Sequence, residues 1–297
     1  MSSSQEHAFI PWRFEYQGGF LQGYRSDLVD AEASIHFLHG NGFAVRTYSE
    51  FLSKLEGYNL ILQEAEGHGG SSVGEHFIGW NETAQRFYQS LQTQHSAKDG
   101  ELIGVGHSFG GCMTALMSVQ DPSLFSRMVL LDPAFFPPQQ LFMLRVVQWL
   151  GLIGKVPVVR QANRRRTQWS HVDKVKANYQ GRGTFKGWQD KCLEDYIEYS
   201  IRQDENGHCE LICPTWMEAA IFGSTAKGLW RNILKISVPT YIVMGKDTFP
   251  MFKKAYRLAA KLNRNLRLVE TAGGHCFMQE DPQVTAKLVQ DILNIEE

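Results

Sequence analysis

No run of about eighteen or more apolar residues occurs in the chain, so no membrane-spanning helix is expected. There is also no charge excess. Lys and Arg number 30 against 31 Asp and Glu, a net charge of −1. That balance gives no reason to expect nucleic acid or an anionic membrane as a general partner. Cysteine is sparse, odd in number and scattered, with 5 residues. This fits a reducing cytoplasm better than a disulfide framework. His208, Cys209 and Cys213 fall close together. They lack the second matched pair that a zinc site needs, so Cys209 and Cys213 are read as thiols without a metal. Met1–His7 is polar and lacks a basic start followed by an apolar stretch, so no secretory leader is expected. No internal repeat or low-complexity tract is evident. What the chain does have is 297 residues with 43% hydrophobic content, ample for one large core with an inserted subdomain.

The most informative stretch is Gly106-His107-Ser108-Phe109-Gly110. The apolar Leu102–Val105 before it reads as a buried strand, and Gly111–Met117 after it as the opening of a helix. A strand-to-helix turn this sharp strains the central residue and crowds the chain, so a Cβ at Gly106 or Gly110 would clash. The strain lifts the Ser108 hydroxyl clear of the sheet, in position to attack a carbonyl.

A serine must pass its proton to a base. His275 is the candidate, on the loop Ala272-Gly273-Gly274-His275 that follows the strand-like Asn265–Val269. An acid should orient its imidazole. Asp247 ends the buried run Tyr241–Gly245, and Asp132 ends the preceding one, Met128–Leu131. Either carboxylate lies at a strand end, where an α/β sheet places its working groups. An oxyanion needs two convergent N–H donors. Phe109, just after the serine, offers one at a helix N-terminus. The apolar strand Ser34–Leu38 runs into His39-Gly40-Asn41-Gly42. Asn41 N–H is the candidate for the second, Gly42 the alternative, and His39 is read as a structural hydrogen-bonder in that loop.

These pieces together resemble the α/β hydrolases of the serine esterase and lipase type. The resemblance rests on His39-Gly40-Asn41-Gly42, Gly67-His68-Gly69-Gly70-Ser71, the Ser108 pentapeptide, Gly245-Lys246-Asp247 and Gly274-His275, in that order. It covers the chain except its middle. It implies an α/β fold with a mostly parallel eight-stranded sheet flanked by helices, and no cofactor. The family's order of serine, acid and histidine supports His275 as the base. It favours Asp247 over Asp132, because the acid strand usually directly precedes the histidine strand. Epoxide hydrolases and haloalkane dehalogenases of this superfamily carry Asp at the nucleophile position, so Ser108 argues against both. One departure is Glu66, where the family often has Arg before the Gly-His-Gly turn.

Along the chain, Phe9–Arg25 reads as an edge hairpin, Val45–Glu56 and Trp80–His95 as helices, and Asn59–Gln63 as a strand. After Asp132 the strand–helix rhythm stops until Val238. This divides the chain into core residues 1–133, an inserted helical cap at 134–236, and core residues 237–297. The cap reads as the helices Gln139–Leu152, Ser170–Tyr179 with a capping box of Ser170 and Asp173, Trp188–Arg202 and Pro214–Phe222. Asp281–Ile295 closes the chain as a helix. The cap holds Trp149, Trp169, Trp188, Trp216 and Trp230, which either line an apolar acyl or aryl pocket or form the cap's own core. Arg160 and Arg164-Arg165-Arg166 are read as a solvated face, with an anionic substrate group such as a coenzyme A phosphate as the rival. The expectation is a cytoplasmic serine hydrolase acting on a small-molecule ester, with Ser108, His275 and Asp247 as triad and Asn41 and Phe109 as oxyanion donors. A carbon–carbon bond hydrolase, a lactonase or a thioesterase on the same triad, and a non-catalytic ligand receptor on the same fold, are the alternatives.

Overall fold

The computed structural model describes residues 9–26, 31, 33–96 and 100–295; the Met1–His7 leader reading lies outside them. Among the described residues eleven strands form in chain order. The hairpin comprises β1 (Ile10–Tyr16) and β2 (Gly19–Arg25). It closes on Gly18, whose φ of +94° suits glycine. Then come β3 (Ala33–Leu38), β4 (Tyr58–Gln63), β5 (Leu102–His107) and β6 (Arg127–Leu131). The strands β7 (Gln168–Trp169), β8 (Ile201–Gln203) and β9 (Cys209–Leu211) follow in the middle of the chain. The last two are β10 (Thr240–Gly245) and β11 (Leu266–Thr271).

The main sheet has eight strands in the order β1-β2-β4-β3-β5-β6-β10-β11. Only the β1–β2 and β2–β4 pairings are antiparallel; the others are parallel. This is the expected α/β fold. Its central strands β3 and β5 are buried at every residue, which explains their near-continuous apolar sequence. Side chains alternate across the sheet and so build two cores. Val129, Leu131 and Val243 join one cluster, with Val289 and Ile292 of the C-terminal helix Pro282–Leu293. Met128, Leu130 and Ile242 join the other, with Phe87 and Met113.

Between β6 and β10, which pair directly, the chain makes its long excursion. Helices form at Pro138–Trp149, Val172–Tyr179, Asp190–Ser200 and Thr215–Phe222. The reading of this segment as purely helical is corrected: β7, β9 and β8 make a separate antiparallel sheet. The capping box at Ser170 is also corrected. His171 is the N-cap, with no side-chain cap bond.

The excursion packs over the loop after β3. Asn41 Nδ2 donates to Glu218 O at 3.0 Å, and Ala44 N–H to Ser200 Oγ at 3.1 Å. Phe43 meets the rings of Phe185, Trp188 and Tyr196 at 5.5–6.5 Å between centroids. Tyr179, Phe185, Trp188 and Tyr196 pack among themselves in tilted and edge-to-face contacts, so much of the aromatic content fills a core. Trp169 and Trp188 are buried, whereas Trp149 and Trp216 are exposed. Trp230 donates its Nε1–H to Phe136 O.

Candidate active site

Ser108 sits where β5 ends and the helix Phe109–Gln120 begins. Its φ of +53° places a non-glycine residue in a strained region. The crowding around it is explicit. A Cβ on Gly110 would lie 2.2 Å from Leu38 O, and one on Gly106 would lie 2.6 Å from the Gly110 carbonyl carbon. Ser108 N–H donates to Leu131 O and Gly110 N–H to His39 O, so neighbouring strands hold the turn on both sides.

Ser108 Oγ lies 2.9 Å from His275 Nε2. On the far side of that imidazole, Nδ1 lies 2.5 Å from Asp132 Oδ2. Asp132 is fully buried, and Thr248 Oγ1 donates to the same carboxylate oxygen. Asp132 also has a positive φ, +44°. Thus both ends of this hydrogen-bonded chain sit on strained backbone, fixed on one side by Asp132 N–H donating to Val243 O at 2.8 Å.

The expectation that Asp247 faces His275 is corrected by this geometry. Asp247 is exposed, and its backbone N–H donates to Gly273 O. The strands β6 and β10 are neighbours, with Leu131 opposite Val243, so either strand end is near the histidine loop. Asp132 is the first residue past β6 and turns inward. Past Gly245, Lys246 and Asp247 turn to solvent and Thr248 re-enters the interior. The inward residue after β10 is therefore a hydroxyl donor to the acid, not the acid.

Of the two predicted oxyanion donors, Phe109 directly follows Ser108, and Asn41 lies in the loop after β3, whose His39 O accepts Gly110 N–H of the serine turn. Gly42 N–H is spent on His68 Nε2 at 3.0 Å. Among the described residues no hydrogen bond takes the N–H of Asn41 or of Phe109. His39 holds the loop as expected: Nδ1–H donates to Gly40 O, and Nε2 accepts Ala65 N–H. Burial and the neighbouring His68 push its pKa down to about 3, and burial pushes His68 down to about 4. Both are neutral rings.

A connection absent from the sequence reading links the two working loops. Gly40 N–H donates to Tyr48 Oη at 3.0 Å. Tyr48 O–H lies 2.7 Å from His107 Nδ1, and His107 Nε2 lies 2.9 Å from His275 O. A carbonyl accepts only, so Nε2 carries the proton and Nδ1 accepts from Tyr48. Burial, and then the nearby His275, hold the His107 pKa well below its ordinary value, consistent with that neutral tautomer. The rings of Phe249 and Phe252 stand 5.2 and 5.6 Å from the His275 ring; no periodicity in the chain marks them.

Glu66, the departure from the family pattern, pairs with Arg86. The three consecutive arginines do not act together. Arg165 is inside, donating to Glu218 Oε2, Tyr179 and Tyr196, while Arg164 and Arg166 are exposed. Cys213 Sγ touches His68 Nε2 at 3.3 Å, and His208 pairs with Asp204. A surface groove of about 580 Å³ runs along Arg166, Trp169, Arg202 and His208. It includes neither Ser108 nor His275 and lies apart from the hydrogen-bonded serine, histidine and aspartate.

A parallel sheet with a strained serine at a strand–helix turn, hydrogen-bonded to a histidine and through it to a buried aspartate, defines a class. The chain belongs to the alpha/beta hydrolase family, whose profile matches residues 37–288. It is 36% identical over 146 residues to abhydrolase domain-containing protein ACTT2 of Alternaria alternata, covering 49% of this chain and 47% of that protein. It is 30% identical over 107 residues to a monoglyceride lipase of Mus musculus, covering 34% and 35% of the two chains. The chain therefore matches such relatives over about half of their length or less. Among solved structures, E-2-(acetamidomethylene)succinate hydrolase superposes with a TM-score of 0.76 at 18% identity, over 97% of this chain and 100% of that one. That likeness concerns the fold.

Proposed function

We propose that this hydrolase cleaves a carboxylic ester through an acyl-Ser108 intermediate. The observation that carries the reading is the continuous path Ser108 Oγ, His275 Nε2, His275 Nδ1, Asp132 Oδ2, with spacings of 2.9 and 2.5 Å. His275 takes the Ser108 proton as the hydroxyl attacks the carbonyl carbon. Asp132 holds the imidazole in the tautomer whose Nε2 is free to accept, and stabilises the imidazolium that forms. The N–H groups of Asn41 and Phe109 receive the developing oxyanion. His275 returns the proton to the leaving alcohol, and water, deprotonated in turn by His275, releases the acid. Residues 134–236 act as a cap over the core formed by 1–133 and 237–297. The rings of Phe249 and Phe252 beside His275 favour an apolar acyl or aryl group. No helix among the described residues is long and apolar enough to cross a membrane. Five buried free cysteines support a reducing compartment such as the cytoplasm.

The test is labelling with a fluorophosphonate probe, followed by p-nitrophenyl esters of rising acyl length. Ser108 should be the labelled residue, and Ser108→Ala should lower turnover on the order of a million-fold. A folded Ser108→Ala variant with wild-type activity would end the reading. A preference for thioesters over the matched oxygen esters would replace the substrate class while leaving the triad in place.

A further inference from the structure

The net charge of −1 hides a strong local asymmetry. From Asp132 to Asp173 the chain contains no acidic residue between those two, yet it carries Arg145, Lys155, Arg160 and Arg164-Arg165-Arg166. Arg165 is consumed internally by Glu218, while Arg145, Lys155, Arg160 and Arg164 are exposed.

The helix Pro138–Trp149 opens this segment, and Leu141 is its one buried residue. Its exposed apolar side chains are not scattered. Phe142, Met143, Val146, Trp149 and, just past its end, Leu150 are all exposed, with Trp149 at 84% and Phe142 at 68%. At 100° per residue these positions fall within an arc of about 120°. Arg145 lies at the edge of that arc. The inward side of the helix holds Leu141 and Gln148, whose Nε2 donates to Gly223 O. One side of the helix therefore packs against the rest of the cap through Leu141 and Gln148, while its apolar side faces solvent.

We propose that this face docks the protein on an anionic lipid surface. Lone exposed apolar residues need no explanation, but a contiguous aromatic and aliphatic stripe does. The segment it opens carries the exposed cations Arg145, Lys155, Arg160 and Arg164 and no acidic residue before Asp173, a charge that complements phosphatidylserine-like headgroups, while Trp149 and Phe142 enter the boundary with the acyl chains. A second copy of this chain is the poorer occupant. A two-fold contact brings a patch onto its own copy, which would set two cation-bearing segments without acidic residues against each other. The proposal stands apart from the ester reading, since it concerns a face that holds none of the triad.

The experiment is flotation with vesicles of pure phosphatidylcholine and of phosphatidylcholine with phosphatidylserine at 7:3. Binding should be confined largely to the anionic vesicles and should weaken with salt. Each of Arg145→Gln and Lys155→Gln should lower partitioning about fivefold. Phe142→Ser combined with Trp149→Ser should lower it at least tenfold, with thermal unfolding unchanged because both side chains are exposed. Brominated lipid should quench the fluorescence of the native chain more than that of Trp149→Phe, a reading that needs no polar substitution. Absence of binding to the anionic vesicles, or quenching equal in the native chain and Trp149→Phe, would overturn the proposal. So would a dimer in light scattering that the Phe142→Ser, Trp149→Ser variant dissociates, which would assign the face to a second copy.

Discussion

Asp132 and His275, 143 residues apart in sequence, are joined by a 2.5 Å contact between Oδ2 and Nδ1. The aspartate is fully buried, whereas the histidine side chain keeps 20% of its surface exposed. A buried acceptor of this kind dictates which imidazole nitrogen carries the proton. Asp132→Asn should therefore lower turnover on the order of ten-thousand-fold through the wrong tautomer. Asp247→Asn, at an exposed position whose backbone alone supports the loop, should stay within about threefold of the native rate. Steady-state kinetics on one chromogenic ester decides, and equal losses in both variants would refute the assignment.

Tyr48 offers a second check, because its hydroxyl joins the loop that carries Asn41 to the loop that carries His275. Tyr48→Phe keeps the ring in the core and strands two buried groups, Gly40 N–H and His107 Nδ1. Each unpaired buried group costs roughly 1–3 kcal/mol, so denaturant unfolding should show a loss of about 2–6 kcal/mol. As a positioning residue, Tyr48 should also act on turnover more than on KM, by about tenfold. A variant that loses stability while kcat is untouched would make the link purely structural.

Acid should unfold this protein early. His36, His39 and His68 are buried, and burial lowers their pKa values to about 4, 3 and 4. Each folded value lies below the unfolded value of about 6.5. Between these limits the unfolded chain binds the extra proton, so stability is present above about pH 6.5 and drains as pH falls toward 4. Each group contributes a slope of up to about 1.4 kcal/mol per pH unit in that window. Melting temperature followed by calorimetry from pH 7 to 4 measures it; a flat curve would contradict the neutral-ring picture.

Much of this architecture was legible from residue patterns. The central strands are buried on both faces and so advertise themselves as apolar runs, and the serine turn is legible because glycines at 106 and 110 are sterically required. The choice of acid was not legible. Asp132 and Asp247 sit at matching ends of adjacent strands, and only the inward turn at one and the outward turn at the other separates them. The strands β7, β8 and β9 were also invisible, since elements of two or three residues carry no periodicity. The tyrosine–histidine link joins residues 48, 107 and 275, a relation that exists only after the sheet has formed.

Glu64 lies beside the loop after β3, fully buried against Gly69, where an added Cβ would come 2.2 Å from its carboxyl. His39 Nε2 approaches its Oε2 at 3.8 Å. That nitrogen already accepts Ala65 N–H and its ring is neutral, so this is no ion pair. Burial raises the Glu64 pKa to about 8, against smaller lowering effects from Val45 N–H and Arg46. The folded state thus keeps a proton that the unfolded chain loses near pH 4.3. The stabilising difference is complete below the unfolded value and is lost as pH rises toward about 8, the opposite direction to the histidines. Over the whole window it amounts to roughly 4–5 kcal/mol. Glu64→Gln keeps an acceptor for Val45 N–H and has no proton to lose. Its melting temperature should match or trail the native protein at pH 5 and exceed it at pH 9. Taking the difference between the two chains at each pH cancels the histidine contribution, which both share. Parallel curves from pH 5 to 9 would show that Glu64 is ionised in the fold and that the interior beside Asn41 is more polar than its burial implies.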